Sequence, residues 1–207
     1  MRRSTKVLVL LAAAAALAVS SRAEAGLIPT NVSVQPDGSN FRWTYAVVVT
    51  TDVKVNPGDY FTIYDFGGKV GGPFGVVAGP DATVMPQDWS VSEALTGPTP
   101  NGTNPMDDPN IVNLTFTYNG AQPIQGQQGL GNFSAISAFG DSATSFFTSI
   151  THRQVDGRTE ANITSTDVPV PNIDQPHDTP EPATLAMFGL GLPFAGLANW
   201  LRRRLKK

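Results

Sequence analysis

The sequence predicts an all-β fold: an antiparallel β-sandwich of jelly-roll or immunoglobulin-like architecture, with an N-terminal signal peptide and a single C-terminal transmembrane helix. Apolar residues alternate with a period of two in several short stretches, and clusters of glycine, proline and asparagine separate these stretches. No helical periodicity occurs before the C-terminal apolar span. The chain of 207 residues has no cysteine, so its hydrophobic core must stabilise it without disulfides.

Residues 1–25 are predicted to be a Sec signal peptide. A basic start precedes an apolar core over residues 7–20, and small residues, Ala23 and Ala25, lie before Gly26. The apolar core is shorter than the roughly 20 residues of a transmembrane helix, which disfavours an uncleaved anchor. We therefore expect export through the Sec translocon and cleavage by signal peptidase between Ala25 and Gly26.

Residues 26–167 are predicted to be the exposed β-sandwich domain. Its strongest strand pattern runs from Asn40 to Val55, where aromatic and β-branched residues alternate. Asn56–Asp59 has the composition of a turn, and Tyr60–Phe66 has that of a second strand, so we expect the two strands to form an antiparallel pair. Phe74–Ala78 is a short third candidate.

The second half of this domain shows the same strand-and-turn pattern. Ile111–Tyr118 alternates cleanly, whereas Gly97–Asn110 contains four prolines and is predicted to be a long loop. The remaining predicted strands are Trp89–Leu95, Phe133–Phe139, Thr144–Thr151 and Ala161–Thr166.

Charge is strongly segregated along the chain. Residues 26–180 hold five cationic and 15 acidic side chains, a net charge of −10, while most cations lie near the two ends. An acidic surface repels phosphate backbones, so we expect no nucleic-acid partner.

Few residue combinations in the sequence indicate catalysis. The two histidines are His152, near a strand end, and His177, in a proline-rich stretch. No cysteine ligand set, phosphate-binding loop or nucleophile elbow is present in the sequence. We therefore predict no catalytic residue, metal or cofactor, and a non-enzymatic protein.

Two binding or catalytic alternatives stay open. Asp65 and the pair Asp107–Asp108 could bind calcium through oxygen ligands or act as the two acids of a glycosidase. Four aromatic residues could stack on sugar rings if they are exposed: Trp43, Tyr45, Tyr64 and Trp89. The alternating pattern favours core positions for Trp43 and Tyr45.

The C-terminal region reads as a spacer, an apolar span and a basic tail. Residues 168–179 are proline-rich and are predicted to be an extended spacer. Residues 183–201 carry no charge and reach about 28 Å as a helix, close to the roughly 30 Å of a hydrocarbon core. The tail, residues 202–207, is expected to stop transfer and stay cytoplasmic. Its cations are Arg202, Arg203, Arg204, Lys206 and Lys207.

Residues 180–207 resemble the PEP-CTERM sorting signal. The resemblance is carried by Pro180, Glu181 and Pro182, by the glycine- and leucine-rich span that follows, and by the terminal arginine cluster. The prolines hold the backbone extended, which suits a segment that an enzyme must recognise at the membrane face.

This resemblance implies a processing route and a set of partners. It implies recognition by an exosortase, a membrane-embedded enzyme resembling cysteine transpeptidases, and cleavage near the tripeptide. It also implies a Gram-negative host that makes exopolysaccharide. We expect an inner-membrane anchor that is transient, and then a cell-surface or extracellular-matrix location. The alternative function is a carbohydrate-binding or calcium-assisted adhesive module.

Overall fold

All pairing between strands in the described part of the chain is antiparallel, as the sequence predicts. The computed structural model describes residues 26–77 and 85–171. The predicted signal peptide, the predicted membrane helix over 183–201 and the basic tail lie outside these residues. The chain divides into two units, Met1–Asn172 and Ile173–Lys207, and every described residue belongs to the first.

Eleven strands and one turn of 3₁₀ helix, Pro86–Asp88, make up the regular structure of the described residues. The strands are β1 (Leu27–Asp37), β2 (Asn40–Val49), β3 (Val53–Val55), β4 (Tyr60–Ile63), β5 (Gly75–Val77), β6 (Trp89–Ala94), β7 (Asn113–Tyr118), β8 (Ile124–Gln125), β9 (Gln128–Ser137), β10 (Asp141–Arg153) and β11 (Thr159–Val170).

These strands form two sheets. The smaller sheet has the order β1-β2-β9-β5. The larger sheet has the order β6-β7-β4-β10-β3-β8, and β11 pairs with the free side of β10. Apolar side chains that point inward from both sheets form one buried cluster, an arrangement consistent with the predicted β-sandwich.

The long alternating stretch from Asn40 to Val55 serves both sheets. It breaks between Val49 and Val53, so that β2 belongs to the smaller sheet and β3 to the larger one. The alternation continues across the break, and inward-facing residues of both strands are buried. They are Trp43, Tyr45, Val47, Val49, Val53 and Val55.

The predicted antiparallel pairing of the first two strands is wrong. Lys54 of β3 lies opposite His152, and Tyr60 of β4 lies opposite Ile150, so both strands run along β10 in the same direction. The turn between them closes on itself, because the backbone N–H of Asp59 donates to the carbonyl of Asn56 at 3.0 Å. The residues of turn composition therefore form a loop between two strands that run in the same direction, and the chain does not reverse there.

The core centres on Phe61 of β4. Its ring stacks on those of Phe116 and Phe147, with centroids 5.0 and 5.2 Å apart, and meets the ring of Phe133 edge-on at 4.8 Å. Phe133 belongs to the smaller sheet and the other rings to the larger one, so this cluster joins the two sheets. Offset and edge-on pairs of this kind are favoured by the aromatic quadrupole.

Strand ends and edges differ from the prediction. β11 continues to Val170, with Val168 opposite Ala143, so the spacer cannot begin at residue 168. A proline at position 169 is tolerated because β11 is an edge strand and its carbonyl still accepts a hydrogen bond from Gly67, at 3.1 Å. The rest of the predicted spacer, from residue 172, lies outside the described residues.

Two strands were not predicted at all. β1 lacks a clear pattern because it is an edge strand whose residues are mostly exposed beyond its start. β8 has only two residues and lies in a stretch rich in glutamine and glycine. The strands that were predicted from the second half of the domain are present with shifted ends. Gly97–Asn110 is a loop, as predicted.

Truncation of Phe61 should destabilise the domain more than truncation of a surface residue. We expect Phe61→Ala to lower the free energy of unfolding by about 3–5 kcal/mol, because it empties the centre of the aromatic cluster. Val77→Ala is the control, since Val77 is 61% exposed. Urea unfolding measures both, and equal losses would contradict the central role of Phe61.

Candidate functional site

The outer face of the larger sheet carries two cross-strand rows of uncharged side chains. Each row crosses five neighbouring strands, in the order β11, β10, β4, β7 and β6. At about 4.8 Å between strands, the face is roughly 19 Å wide. The first row is Ala161, Ile150, Tyr60, Thr117 and Ser90. The second row is Ile163, Thr148, Thr62, Thr115 and Ser92.

The long loop over residues 95–112 covers the centre of the second row. Thr62 lies against Gly97 and is fully buried, and the Tyr64 hydroxyl donates to the carbonyl of Pro98 at 2.7 Å. The first row stays open: Ile150, Tyr60 and Thr117 are half-buried and Ser90 is exposed. We call these four residues the open row.

Asn113 fixes the long loop to the sheet. Its amide group accepts a hydrogen bond from the backbone N–H of Asp65 at 2.8 Å and donates to Asp107 Oδ1 at 2.8 Å. Asp107 Oδ2 in turn accepts from the backbone N–H of Gly97 at 3.1 Å. Asn113 is 1% exposed, so its amide is a buried polar group that needs hydrogen-bond partners. It finds them on Asp65 and on the long loop.

Asp65 supports the same loop from the other side. Its Oδ1 accepts from the backbone N–H of Asp108, and its Oδ2 accepts from the Ser145 hydroxyl, both at 2.9 Å. Asp65 has a φ of 55°, a left-handed conformation that is uncommon for residues other than glycine. The three carboxylates singled out in the sequence, Asp65, Asp107 and Asp108, are thus brought together, and each accepts a hydrogen bond from a backbone N–H group.

The environment of Asp108 differs from that of a general acid. Hydrogen bonds from the backbone and side-chain amides of Asn110 lower the pKa of this exposed carboxyl. A glycosidase acid requires a raised pKa. Within the described residues, no three histidine, cysteine or acidic side chains are grouped so that they could hold a metal ion.

The four aromatic residues proposed as sugar-stacking groups are buried. Trp43 and Tyr45 are core residues of β2, as alternation indicated, and Tyr64 and Trp89 are also below the surface. Tyr60, which begins β4 and faces outward, was not among the residues predicted to stack on sugars. Tyr60 directly precedes the inward-facing Phe61, and side chains alternate along a strand. This alternation was the signal that could have indicated an outward-facing ring.

His152 ties the projecting turn to β10. Its Nδ1 lies 3.0 Å from Asp59 Oδ2, and the same oxygen accepts from the backbone N–H of Asn56 at 2.7 Å. Burial, the strongest influence, raises the pKa of Asp59, and the hydrogen bonds from Asn56 and His152 lower it by less. The arrangement is a turn-closing contact at the end of the outer face.

A cleft of about 530 Å³ adjoins the open row. Asn119 connects the two, because its side-chain amide donates to the Ser90 hydroxyl at 2.8 Å and its backbone N–H donates to the carbonyl of Asp88 at 2.6 Å. The cleft is lined by polar and apolar groups, among them Asp88, Tyr118, Gln122, Pro123 and Gln125.

Comparison with known families gives one match. Residues 178–204 match the PEP-CTERM protein-sorting motif. No curated protein and no solved structure matches the chain. The match confirms the resemblance drawn from Pro180, Glu181 and Pro182 and includes Arg202 to Arg204. The chain therefore carries the sorting signal of an exported protein that an exosortase processes after a transient membrane-anchored stage.

The matched residues lie outside the part of the chain that the structure describes. Within the described part, no helix has the length and apolar character needed to span a bilayer.

Asp59 should make the stability of the domain depend on pH. Because burial raises its folded-state pKa above 3.8, Asp59 stabilises the fold most at low pH, and this contribution is lost as pH rises through the raised pKa. The free energy of unfolding of Asp59→Asn, taken relative to that of the wild type, should therefore increase as pH rises from roughly 3 to 7. Urea unfolding across this range measures the difference.

Asp108→Asn is the matched control of opposite sign, since the pKa of Asp108 is lowered. Its stability relative to the wild type should fall as pH rises through the acid range around and below 3.8, and should stay constant at higher pH. Identical pH profiles for the wild type and Asp59→Asn would contradict the effect of burial on Asp59.

Proposed function

We propose that this chain is an exported, non-enzymatic protein of the cell envelope or extracellular matrix of a Gram-negative bacterium, sorted by an exosortase. The observation that carries this proposal is the PEP-CTERM protein-sorting motif at residues 178–204. The signal peptide predicted over residues 1–25 supplies the export step that such a motif requires.

The proposed topology follows from charge and length. The Sec translocon passes the chain until residues 183–201 enter the bilayer, and the five cations after them stay cytoplasmic. The acidic domain is then outside. Cleavage near Pro180–Pro182 separates the domain from its membrane segment, so the segment acts as an address and not as a permanent anchor.

The contacts of the acidic residues support a non-enzymatic role. Asp65 and Asp107 accept hydrogen bonds from loop backbone groups, and Asp108 has a lowered pKa. Carboxylates that hold a loop in place are not available for proton transfer to a substrate without loss of that loop.

Mass analysis of the protein from its native host tests the sorting proposal. Intact mass and C-terminal peptide mapping should show a chain that starts at Gly26 and ends near Pro180–Pro182, with or without an added group. A chain that still ends at Lys207 would contradict processing in that host.

Alanine substitutions locate the recognition element. We expect the triple variant Pro180→Ala, Glu181→Ala, Pro182→Ala to remain unprocessed and membrane-bound. Pro176→Ala is the control, because Pro176 lies in the same proline-rich stretch but outside the matched residues. Normal processing of the triple variant would show that the tripeptide is not what the enzyme reads.

The open row favours a second function, the binding of a neutral carbohydrate. It places the half-exposed Tyr60 ring between Ile150 and Thr117, and it is uncharged on a domain that is otherwise acidic. Sugar rings pack against aromatic faces while hydroxyl side chains bond their hydroxyl groups.

Substitution of Tyr60 tests carbohydrate binding at the open row. Tyr60→Ala should weaken retention on the host's polysaccharide about tenfold, since a ring contact of about 1.4 kcal/mol is lost. Tyr60→Phe keeps the ring and should be retained nearly as well as the wild type. Chelator should change neither result, whereas release by chelator would indicate calcium-assisted adhesion. Equal retention of all three chains would remove carbohydrate binding at this face.

A further inference from the structure

The first two residues of the described domain are buried between the sheets. Gly26 donates its backbone N–H to the Thr50 hydroxyl at 3.1 Å and accepts from the Thr50 N–H at 3.2 Å. Leu27 is 0% exposed, and its backbone N–H donates to the Ser149 hydroxyl at 3.1 Å. Its carbonyl accepts from the Asn162 side-chain amide at 3.2 Å.

These contacts join separate parts of the sandwich. Thr50 follows β2 at the crossing between the sheets, Ser149 lies on β10 and Asn162 on β11. We call Gly26 and Leu27, docked on these three residues, the N-terminal clasp. Ser149 and Asn162 are themselves buried, so undocking would leave two buried polar groups without these partners.

Only glycine fits at the first position of the clasp. A Cβ atom on Gly26 would lie 2.6 Å from Cβ of Asn162 and 3.1 Å from the Ser149 hydroxyl oxygen. Gly26 also has a φ of 148°, which side chains other than hydrogen rarely allow. A residue suited to the fold therefore stands immediately after the predicted cleavage site.

A peptidase needs the chain around its scissile bond free and extended, because it binds that segment through main-chain hydrogen bonds. In the clasp, the backbone groups of Gly26 and Leu27 are already bonded within a buried site. The same two residues cannot occupy the peptidase and the clasp together.

We propose that removal of the signal peptide precedes docking of the clasp, and that the docked clasp then shields the new amino terminus. Cleavage is a hydrolysis: water adds across the Ala25–Gly26 bond, leaving a carboxylate on Ala25 and an amino group on Gly26. The proposal rests on the export step of the proposed function. It adds that the fold fixes both the order of processing and the identity of residue 26.

Cleavage of the full-length precursor by purified signal peptidase tests the order. Folded wild-type precursor in detergent should be cut about tenfold more slowly than the same precursor in mild denaturant, because cutting requires local opening. Gly26→Ala precursor should be cut rapidly even when folded. Gly38→Ala is its control, since Gly38 also has a positive φ but no atom within 4 Å of the added methyl group.

The processed protein gives a second readout. Leu27→Ala should expose the amino terminus to an aminopeptidase, with trimming about tenfold faster than in the wild type. Leu130→Ala controls for lost core volume, because Leu130 is equally buried but lies on β9, outside the clasp. It should lower stability while the terminus stays resistant.

The possible results separate the two proposals. Rapid cleavage of the folded wild-type precursor, or equal trimming of Leu27→Ala and Leu130→Ala, would overturn the clasp while export stands. Cleavage at a bond other than Ala25–Gly26, found by N-terminal mass mapping, would overturn the predicted export site and the clasp with it.

Discussion

The stacking of Phe61 between Phe116 and Phe147, closed by Phe133 of the opposite sheet, is the contact on which the rest of the domain depends. Without cysteine, no disulfide can join the sheets, so apolar packing must do so. Because side chains alternate along a strand, the inward position of Phe61 turns Tyr60 and Thr62 outward. The composition of the outer face therefore follows from the packing of the core.

The polar side chains of this domain mostly serve its long connections. A loop the length of residues 95–112 exposes many backbone groups that must find partners, and Asn113, Asp65 and Asp107 supply them. His152 and Asp59 do the same for the projecting turn. This use of carboxylates explains how acids that resemble a catalytic or calcium-binding set can serve to hold backbone groups in place.

The two ends of the domain suit a protein that is processed on both sides. At the start, Gly26 and Leu27 are buried and are hydrogen-bonded to Thr50, to β10 and to β11. At the other end, β11 is an edge strand, and the chain leaves it at Pro171, which is exposed. The sorting motif begins at residue 178, beyond the end of β11, whereas Gly26 is hydrogen-bonded into the described fold.

Local patterns in the sequence were enough to predict the fold class, most strands and the sorting signal. Alternation and turn composition are local properties, and the tripeptide, apolar span and arginine cluster form one contiguous signal. Tertiary structure decided what is not local. It placed β3 and β4 along the same side of β10, assigned β2 and β3 to different sheets, and buried Tyr64 and Trp89 while leaving Tyr60 half-exposed. Strand partners and the covering of a face by a distant loop depend on contacts between residues far apart in the chain, which no short pattern encodes.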